Sequence, residues 1–169
     1  YERLDVVVEE VETFKELRDK PHPPNVHFFC TNVTEEVDTK EFVPCKRVEE
    51  MCLELSSAFS DLALCKFFDQ TLFSSERLKV DFSRFEEGRC DLAFFTTTTA
   101  MTVVGLEQTT LTIPMTVVDL RLESNWQGAT IIGTENVTWL SIIDSVVAIS
   151  PCPKLKELDW NGTACTNDT

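Results

Sequence analysis

The amino-acid sequence predicts an α/β fold in which a central mixed sheet is flanked by helices and held by disulfide bonds. Three observations favour it: a helical apolar pattern that begins at Pro44, apolar runs of strand length before and after that pattern, and seven cysteines in 169 residues. A helical pattern that passes directly into a strand is typical of α/β proteins. A secreted all-β sandwich with minor helix is the alternative prediction.

The chain is predicted to comprise three segments. These are an N-terminal helical segment (1–24), an α/β domain (25–150) and a disulfide-closed, glycosylated C-terminal tail (151–169). No internal repeat of fixed period is evident, and no apolar run approaches the ~20 residues that a membrane-spanning helix needs. Because the sequence opens at Tyr1 without a charged and apolar leader, we expect any secretion signal or anchor to lie outside it.

The N-terminal segment has two interpretations. Apolar residues between Leu4 and Leu17 recur at intervals of three and four, which predicts an amphipathic helix. The β-branched run at 6–8 favours the start of a strand instead. The Pro-rich stretch at 21–24 ends any helix, because proline lacks a backbone N–H, and the apolar segment 26–30 predicts a buried strand.

The most regular helical pattern follows Pro44, a residue that suits the first turn of a helix. Charged residues occupy one face of this pattern, which predicts a helix over 44–60 and a strand over 62–68. The apolar face of the predicted helix comprises Val48, Met51, Cys52, Leu55, Phe59 and Leu62.

The second half of the chain is predicted to alternate strands with one helix. Apolar residues alternate over 78–82, a short apolar run covers 92–95, and a longer alternation over 111–122 predicts one bent strand. Two glycines enclose a short strand at 129–132, and helical spacing returns over 137–147.

The odd number of cysteines leaves one thiol unpaired or linked to another chain. Cys152 and Cys165 are predicted to close a small C-terminal loop. Two further bridges and the remaining thiol are expected among Cys30, Cys45, Cys52, Cys65 and Cys90.

Four Asn-X-Thr sequences are candidate sites of N-glycosylation, at Asn32, Asn136, Asn161 and Asn167. Persistent disulfide bonds need an oxidising compartment. The sequons and the cysteines together therefore predict a secreted protein or the extracellular face of a membrane protein.

The charge of the chain excludes some partners. Twenty-nine acidic and fifteen basic residues give a net charge of −14, which repels nucleic acid and anionic lipid. We expect no nucleic-acid partner, and contact with a membrane only through residues outside this sequence. The acidic surface either attracts a basic protein partner or simply keeps the protein soluble.

The sequence offers no evident catalytic or metal site. His22 and His27 both lie in or beside the Pro-rich segment, far along the chain from most cysteines, and no Cys-X-X-Cys occurs. His27 alternates with apolar neighbours, which favours a structural role. We therefore expect no enzyme activity, no cofactor and no metal.

The order of predicted elements resembles the first lobe of type II periplasmic-binding-protein folds, a group that includes solute-binding proteins, ionotropic glutamate receptor ligand cores and transferrin lobes. The matching residues are Gly88 and the Asp91-Leu92-Ala93 run followed by threonines, and two later segments, 114–118 and 128–134, are similar to the crossover and to the opening of the second lobe. The resemblance implies a ligand-binding loop at Thr96, Thr97, Thr98 and Thr99, with Thr134 at a ligand-facing helix start.

This sequence departs from that family at the positions that would hold a ligand. No Arg or Lys occurs over 100–112, where a glutamate receptor core would hold a carboxylate, and the only tyrosine is Tyr1, so a transferrin-like iron site is missing. Glycans at Asn32 and Asn136 would also obstruct a cleft at the carboxyl ends of the strands.

The function expected from the sequence is that of a non-enzymatic extracellular binding module or receptor ectodomain that engages a protein partner. Two alternatives stay open: a small-molecule carrier or sensor that uses the threonine loop, and a secreted immune-modulating binding protein on a sandwich fold. Trp126, Trp139 and Trp160 could anchor a protein interface, although core packing is the simpler role for at least two of them.

Overall fold

The computed structural model describes residues 2–8, 11–30, 46–56, 73–85, 88–126, 128–161 and 166–167. The elements in chain order are β1 (Arg3–Val8), α1 (Val11–Arg18), β2 (Asn25–Cys30), β3 (Lys46–Ser56), β4 (Phe73–Arg84), β5 (Gly88–Asp91), β6 (Ala100–Val104), β7 (Thr109–Thr112), β8 (Asp119–Glu123), β9 (Ala129–Ile132), β10 (Trp139–Ile143), β11 (Val147–Ile149), β12 (Glu157–Asn161) and β13 (Thr166–Asn167).

The strands form two parallel sheets of a β-solenoid. The large sheet has the spatial order β1-β2-β3-β4-β6-β8-β10-β12, and the small sheet has the order β13-β11-β9-β7-β5. From β5 onward the chain visits the two sheets alternately, so that each coil contributes one strand to each sheet. The fold is therefore a stack of coils.

From β6 onward the coils repeat with a period of about 20 residues, and the earlier coils are longer. Ala100 lies opposite Asp119, Asp119 opposite Trp139, and Trp139 opposite Glu157 in the ladders of the large sheet. This repeat was not evident from the sequence, because equivalent positions share burial rather than residue type. At one corner of the coil, for example, Gly105, Ser124 and Asp144 are the successive residues with a left-handed φ, at 71°, 52° and 45°.

The interior is filled by stacked columns of apolar side chains. Inward positions of the large sheet align from coil to coil, and every second residue of β6 and of β8 is buried. Burying one such side chain stabilises the fold by about 1.5–3 kcal/mol. Two of these columns contain Met101, Leu120 and Leu140, and Val103, Leu122 and Ile142.

A buried asparagine connects three successive coils at one corner. The Oδ1 atom of Asn125 accepts a hydrogen bond from the Leu106 N–H (2.8 Å), and its Nδ2 donates to the Val103 carbonyl (3.1 Å). The backbone N–H of Asn125 donates to Oγ of Ser145 in the next coil (3.0 Å). These bonds satisfy backbone groups that the turn would otherwise leave buried and unpaired.

The helix α1 packs on the inner side of the first strands of the large sheet. Phe14 of this helix is fully buried and packs edge-on against Phe28 of β2, with ring centroids 5.0 Å apart. Phe28 in turn contacts Phe73 of β4 at 5.2 Å. The helix therefore places an aromatic side chain over the inner side of the first strands.

The predicted α/β fold and the resemblance to type II periplasmic-binding-protein lobes are wrong. The described residues contain one helix, α1 (8 residues), and strands that stack in parallel coils rather than a sheet flanked by helices. The alternative, an all-β sandwich, is also wrong, because every described strand pair is parallel and follows the coil.

The helix predicted over 44–60 is wrong where the structure describes it, because Lys46–Ser56 is the strand β3. Met51 and Leu55, four residues apart, fit both a helical face and the buried side of a strand. Leu53 decides between them, since it is buried with Met51 and Leu55 in a period of two. The predicted strand over 62–68 lies outside the described residues.

Of the remaining predicted elements, some are confirmed by the structure and others are wrong. The strand over 26–30 is confirmed as β2 and the strand over 129–132 as β9, and the N-terminal segment divides into β1 and α1, so each interpretation holds for one part. The bent strand over 111–122 is instead two strands in different sheets, β7 and β8. Residues 92–95 form turns rather than a strand, and the region 137–147 holds β10 instead of a helix.

The expected disulfide framework is contradicted in the described part of the chain. Cys52 and Cys152 carry free thiols, so the predicted bridge between Cys152 and Cys165 is absent, and the side chain of Cys90 is buried in the core. Stacked coils bury a continuous apolar interior, which supplies the stability that bridges were expected to provide. Cys45, Cys65 and Cys165 lie outside the described residues.

Among the described residues, no helix has the length and apolar character that a membrane crossing requires.

Candidate functional site on the outer face of the large sheet

The outer face of the large sheet is the widest surface that the coils build. Alternation along each strand turns every second side chain toward solvent, and the ladder registers place those side chains in rows across the strands. Eight strands spaced by about 4.8 Å give a face roughly 34 Å wide. Outward residues at its centre are Arg77 and Lys79 of β4, Ala100 and Thr102 of β6, and Asp119 and Arg121 of β8.

A hollow of about 270 Å³ lies at the centre of this face, and we call it the β6 hollow. It forms because the outward side chains of β6 are small, whereas both neighbouring strands carry long ones. The ladder pairs Ala100 with Arg77 and with Asp119, and Thr102 with Lys79 and with Arg121. Trp139 of β10 also lines it, next to Asp119.

The charges around the β6 hollow are only partly compensated. Nε of Arg121 lies 2.5 Å from Oε1 of Glu123 on the same strand. By contrast, neither Arg77 nor Lys79 forms an ion pair with any described carboxylate. Burial raises the pKa of the Asp119 carboxyl, and the nearby Arg121 opposes that rise. The hollow therefore offers charges of both signs to a ligand.

A second, wider depression of about 670 Å³ lies where β3 and β4 begin. It is lined by Pro24, by the exposed ion pair of Arg47 and Glu76, and by Arg77, which also borders the β6 hollow. The two depressions therefore meet at Arg77. Together they make the outer face an uneven, open surface rather than a closed cleft.

A histidine and a cysteine lie together on the N-terminal part of the same face, beside a smaller hollow of about 100 Å³. Nε2 of His27 lies 3.5 Å from Sγ of Cys52 and 3.6 Å from Oε2 of Glu54. A catalytic dyad would need a thiolate, yet burial raises the pKa of Cys52 to about 11, against the opposing effect of Lys79.

The imidazole of His27 is also poorly placed for catalysis. Cys52 and Glu54 both approach Nε2, whereas Nδ1 is buried without a hydrogen-bond partner. A Cys-His-acid arrangement needs the acid on the other ring nitrogen, to orient the base. Burial, followed by the charge of Arg3, lowers the pKa of His27. The cluster thus lacks the geometry of an activated nucleophile.

The threonines predicted to bind a ligand lie on the corners that lead from the small sheet to the large one. Thr98 is buried, and its Oγ1 donates to the Ser75 carbonyl (2.9 Å). Thr134 is buried too, and its Oγ1 donates to the Ser150 carbonyl (2.8 Å) in the next coil. Their hydroxyls stabilise the corners, while Thr96, Thr97 and Thr99 are exposed. The predicted set therefore does not converge on one cleft.

The tryptophans do not fill the core. Trp126 and Trp160 are largely exposed, and Trp139 is half-buried at the edge of the β6 hollow. No sequence motif pointed to Arg77 or Lys79 as candidate site residues. The alternation of apolar residues over 78–82 could have identified them, since it turns residues 77 and 79 to the opposite, outward face.

The sequons occupy different settings. Asn136 donates from Nδ2 to the Met115 carbonyl (2.9 Å) and accepts from Nζ of Lys154 (2.6 Å), whereas Asn161 is exposed at the end of β12. Asn167 belongs to β13, and Asn32 lies outside the described residues. The extracellular location stays a prediction, and it rests mainly on these sequons, since Cys52 and Cys152 carry free thiols.

No group of three or more His, Cys, Asp or Glu side chains in the described ranges is arranged to hold a metal ion. No family model matches the chain, and neither a curated protein nor a solved structure matches it.

Proposed function

We propose that this chain is a binding module that engages a protein partner through the outer face of the large sheet, centred on the β6 hollow. The observation that carries the proposal is the hollow itself, where small side chains of β6 lie between longer charged ones. Solenoids commonly use such extended surfaces for binding.

The size of the hollow favours a protein side chain over a free small molecule. Pockets for small ligands usually enclose about 300–1,000 Å³ and bury most of the ligand in an apolar lining. The β6 hollow is smaller, open and bordered by charged groups such as Arg77, Lys79 and Asp119. A surface of this kind suits one anchoring side chain within a broader interface, with Trp139 as a contributor to affinity.

The two alternative functions have less support. A small-molecule carrier or sensor would use Thr98 and Thr134, but the hydroxyls of both are engaged within the fold. The immune-modulator alternative was tied to a sandwich, which this chain does not form. A protein partner remains the function best supported by the surface.

The proposal is tested by filling the hollow without disturbing the core. Thr102→Trp adds a bulky side chain on the outer face of the large sheet, and Thr110→Trp adds the same side chain on the outer face of the small sheet. Proteins retained by the immobilised wild-type chain, by Thr102→Trp and by Thr110→Trp would be quantified by mass spectrometry.

We expect at least one protein to be retained by the wild type and by Thr110→Trp, and to lose about 10-fold or more in affinity for Thr102→Trp, as truncated hot spots do. Equal retention of the same proteins by all three chains would contradict the proposal that the outer face of the large sheet is the binding surface. A rise in melting temperature with a metabolite panel, lost in Thr134→Val, would favour the carrier instead.

A further inference from the structure

The β6 hollow has two neighbouring positive charges along one side. The outward side chains of β4 at this point are Arg77 and Lys79, and the ladder places them directly beside Ala100 and Thr102 of β6. Both cations are exposed, and both line the hollow. Because the side chains of Ala100 and Thr102 are short, they leave the space in front of the two cations open.

Ion pairing elsewhere in the molecule makes these two cations unusual. Carboxylate partners are abundant in this chain, since twenty-nine acidic residues outnumber fifteen basic ones. The arginines that pair with a carboxylate in the described ranges are Arg3, Arg18, Arg47, Arg84 and Arg121. Arg77 and Lys79 form no such pair with a described residue. The centre of the face therefore holds two positive charges that no ion pair compensates.

The immediate neighbours of Lys79 do not neutralise it. Within its row across the sheet, Lys79 lies between Cys52 and Thr102. Burial raises the pKa of Cys52 to about 11, so this thiol is neutral at neutral pH. The nearest outward carboxylate along β4 is Asp81, whose Oδ1 accepts hydrogen bonds from the N–H (2.8 Å) and the hydroxyl (2.5 Å) of Ser83. The ammonium group of Lys79 thus stays available to a ligand.

The two carboxylates that line the hollow also leave Arg77 available. Glu50 lies opposite Arg77 on β3, yet the two side chains form no ion pair. Asp119 lies two ladder spacings from Arg77, on the other side of Ala100, and it is next to Arg121 on its own strand. An anion over Ala100 would therefore meet the guanidinium of Arg77 before it meets either carboxylate.

The spacing of the two cations suits a single oxyanion. Arg77 and Lys79 are two residues apart on one strand, which separates their Cα atoms by about 6.6 Å. Two charge-assisted hydrogen bonds of about 2.8 Å, one from each side chain, span this separation with one carboxylate or phosphate between them. The planar fork of arginine matches either group, and the hydroxyl of Thr102 can donate a third bond.

The acidity of the whole chain does not prevent such binding. At physiological ionic strength, charges further apart than about 8 Å are largely screened from each other. The net charge of −14 is spread over the molecule, whereas Arg77 and Lys79 would touch the bound group. Contact with the two cations therefore decides which charge the hollow accepts.

From these observations we infer that the anchoring side chain of the protein partner carries an oxyanion, which lies over Ala100 and Thr102 and accepts hydrogen bonds from Arg77 and Lys79. The oxyanion is the carboxylate of Asp or Glu, or the phosphate of a phosphorylated residue. This inference rests on the proposed function and names the group that the hollow accepts. A basic anchor would meet like charges, and an apolar anchor would desolvate both cations without pairing them.

The test uses four peptides that differ only in the central side chain. These are acetyl-AAEAA-amide, its analogue with a central phosphoserine, acetyl-AAQAA-amide and acetyl-AAKAA-amide. Binding to the isotope-labelled chain would be followed by the NMR shift of the Thr102 amide. We expect both anionic peptides to bind about 10-fold or more tightly than the other two, and the tighter one identifies the oxyanion. Equal binding of the neutral peptide, or preference for the lysine peptide, would overturn the inference.

Charge variants separate the hollow from the general charge of the chain. Lys79→Gln and Arg77→Gln each remove one cation of the hollow, Lys79→Arg keeps the charge, and Arg89→Gln removes one charge from the exposed face of the small sheet. We expect a loss of about 10-fold in affinity for acetyl-AAEAA-amide in the first two variants and little change in the others. Equal losses in Lys79→Gln and Arg89→Gln would overturn the inference.

Proteins retained by the immobilised chain distinguish this inference from the proposed function. Those that are lost on Thr102→Trp should also be lost on Lys79→Gln. If they are lost on Thr102→Trp and retained by Lys79→Gln and Arg77→Gln, the hollow accepts a group other than an oxyanion. In that case the proposed function stands and this inference fails.

Discussion

The first and the last described coils both contain parallel strands of the large sheet, but they differ in how far their apolar side chains are exposed to solvent. At the N-terminal end, α1 places Phe14 against Phe28, and Phe14 is fully buried. At the C-terminal end, Leu158 and Trp160 continue the core columns and are more than half exposed. A helix side chain thus helps to bury core positions of the first strands, whereas two core positions of the last described coil are exposed.

The largest expected effect comes from removing the buried aromatic side chain that α1 contributes to the core. Phe14→Ala should lower the free energy of unfolding by about 3–5 kcal/mol, because a buried aromatic ring leaves a cavity. The matched change at the open end, Leu158→Ala, should cost less than about 0.5 kcal/mol, as surface changes do. Equilibrium unfolding in urea measures both, and similar losses at the two ends would contradict the comparison.

An intermediate effect is expected where the coils are connected by buried polar groups. Asn125→Ala should cost about 2–3 kcal/mol, since the Leu106 N–H and the Val103 carbonyl would lose their buried partner. Asn161→Ala at the exposed end of β12 is the control and should cost less than about 0.5 kcal/mol. If both variants unfold at the same urea concentration, the asparagine does not join the coils energetically.

A smaller effect is expected at the corner residue Gly133. Its φ is 92°, and a Cβ there would lie 2.7 Å from the Ile113 carbonyl oxygen, so Gly133→Ala should cost about 1–3 kcal/mol. Asp144→Gly, at a corner where φ is 45°, should change stability by less than about 1 kcal/mol. Thermal unfolding followed by circular dichroism would measure both. The corner has no steric requirement for glycine if Gly133→Ala melts like the wild type.

The smallest expected effect concerns the reactivity of the Cys52 thiol. Burial raises the pKa of Cys52 from 9.0 to about 11, so the folded chain at pH 8 holds about 100-fold less thiolate than the unfolded chain. Alkylation by iodoacetamide should be slower in the folded state by a similar factor. Equal rates in buffer and in urea would contradict the shift.

The same shift predicts a pH dependence of stability. Because the folded-state pKa is raised, the contribution of Cys52 is fully present below pH 9.0 and is lost as pH rises through about 11. The difference in unfolding free energy between the wild type and Cys52→Ala should therefore change over that interval. A difference that stays constant from pH 8 to pH 11 would contradict the prediction.

The sequence predicted single strands better than their arrangement. The run over 26–30 and the glycine-bounded segment 129–132 were recognisable, because their apolar residues and turn signals are local. The strand β3 was mistaken for a helix because Met51 and Leu55 fit both periods. Local patterns could not reveal the coil, since its repeat conserves burial and left-handed turns rather than residue identity.

For the candidate site, too, features within one strand could be predicted from the sequence, whereas contacts between strands could not. The outward positions of Arg77 and Lys79 were implied by alternation along one strand, but their meeting with Ala100 and Asp119 depends on ladder registers between strands. The run of threonines was predicted to form a ligand-binding loop. Thr98 and Thr134 instead form hydrogen bonds within the corners.

The one-to-one register between successive coils has a consequence for how this molecule could change in length. Insertion or deletion of a complete coil would keep every inward column aligned, and would only shift the position of the end. Insertion of one residue inside β8 would exchange the two faces of that strand, because side chains alternate with a period of two, and would send Leu120 and Leu122 toward solvent. Evolutionary lengthening should therefore proceed in steps of about 20 residues.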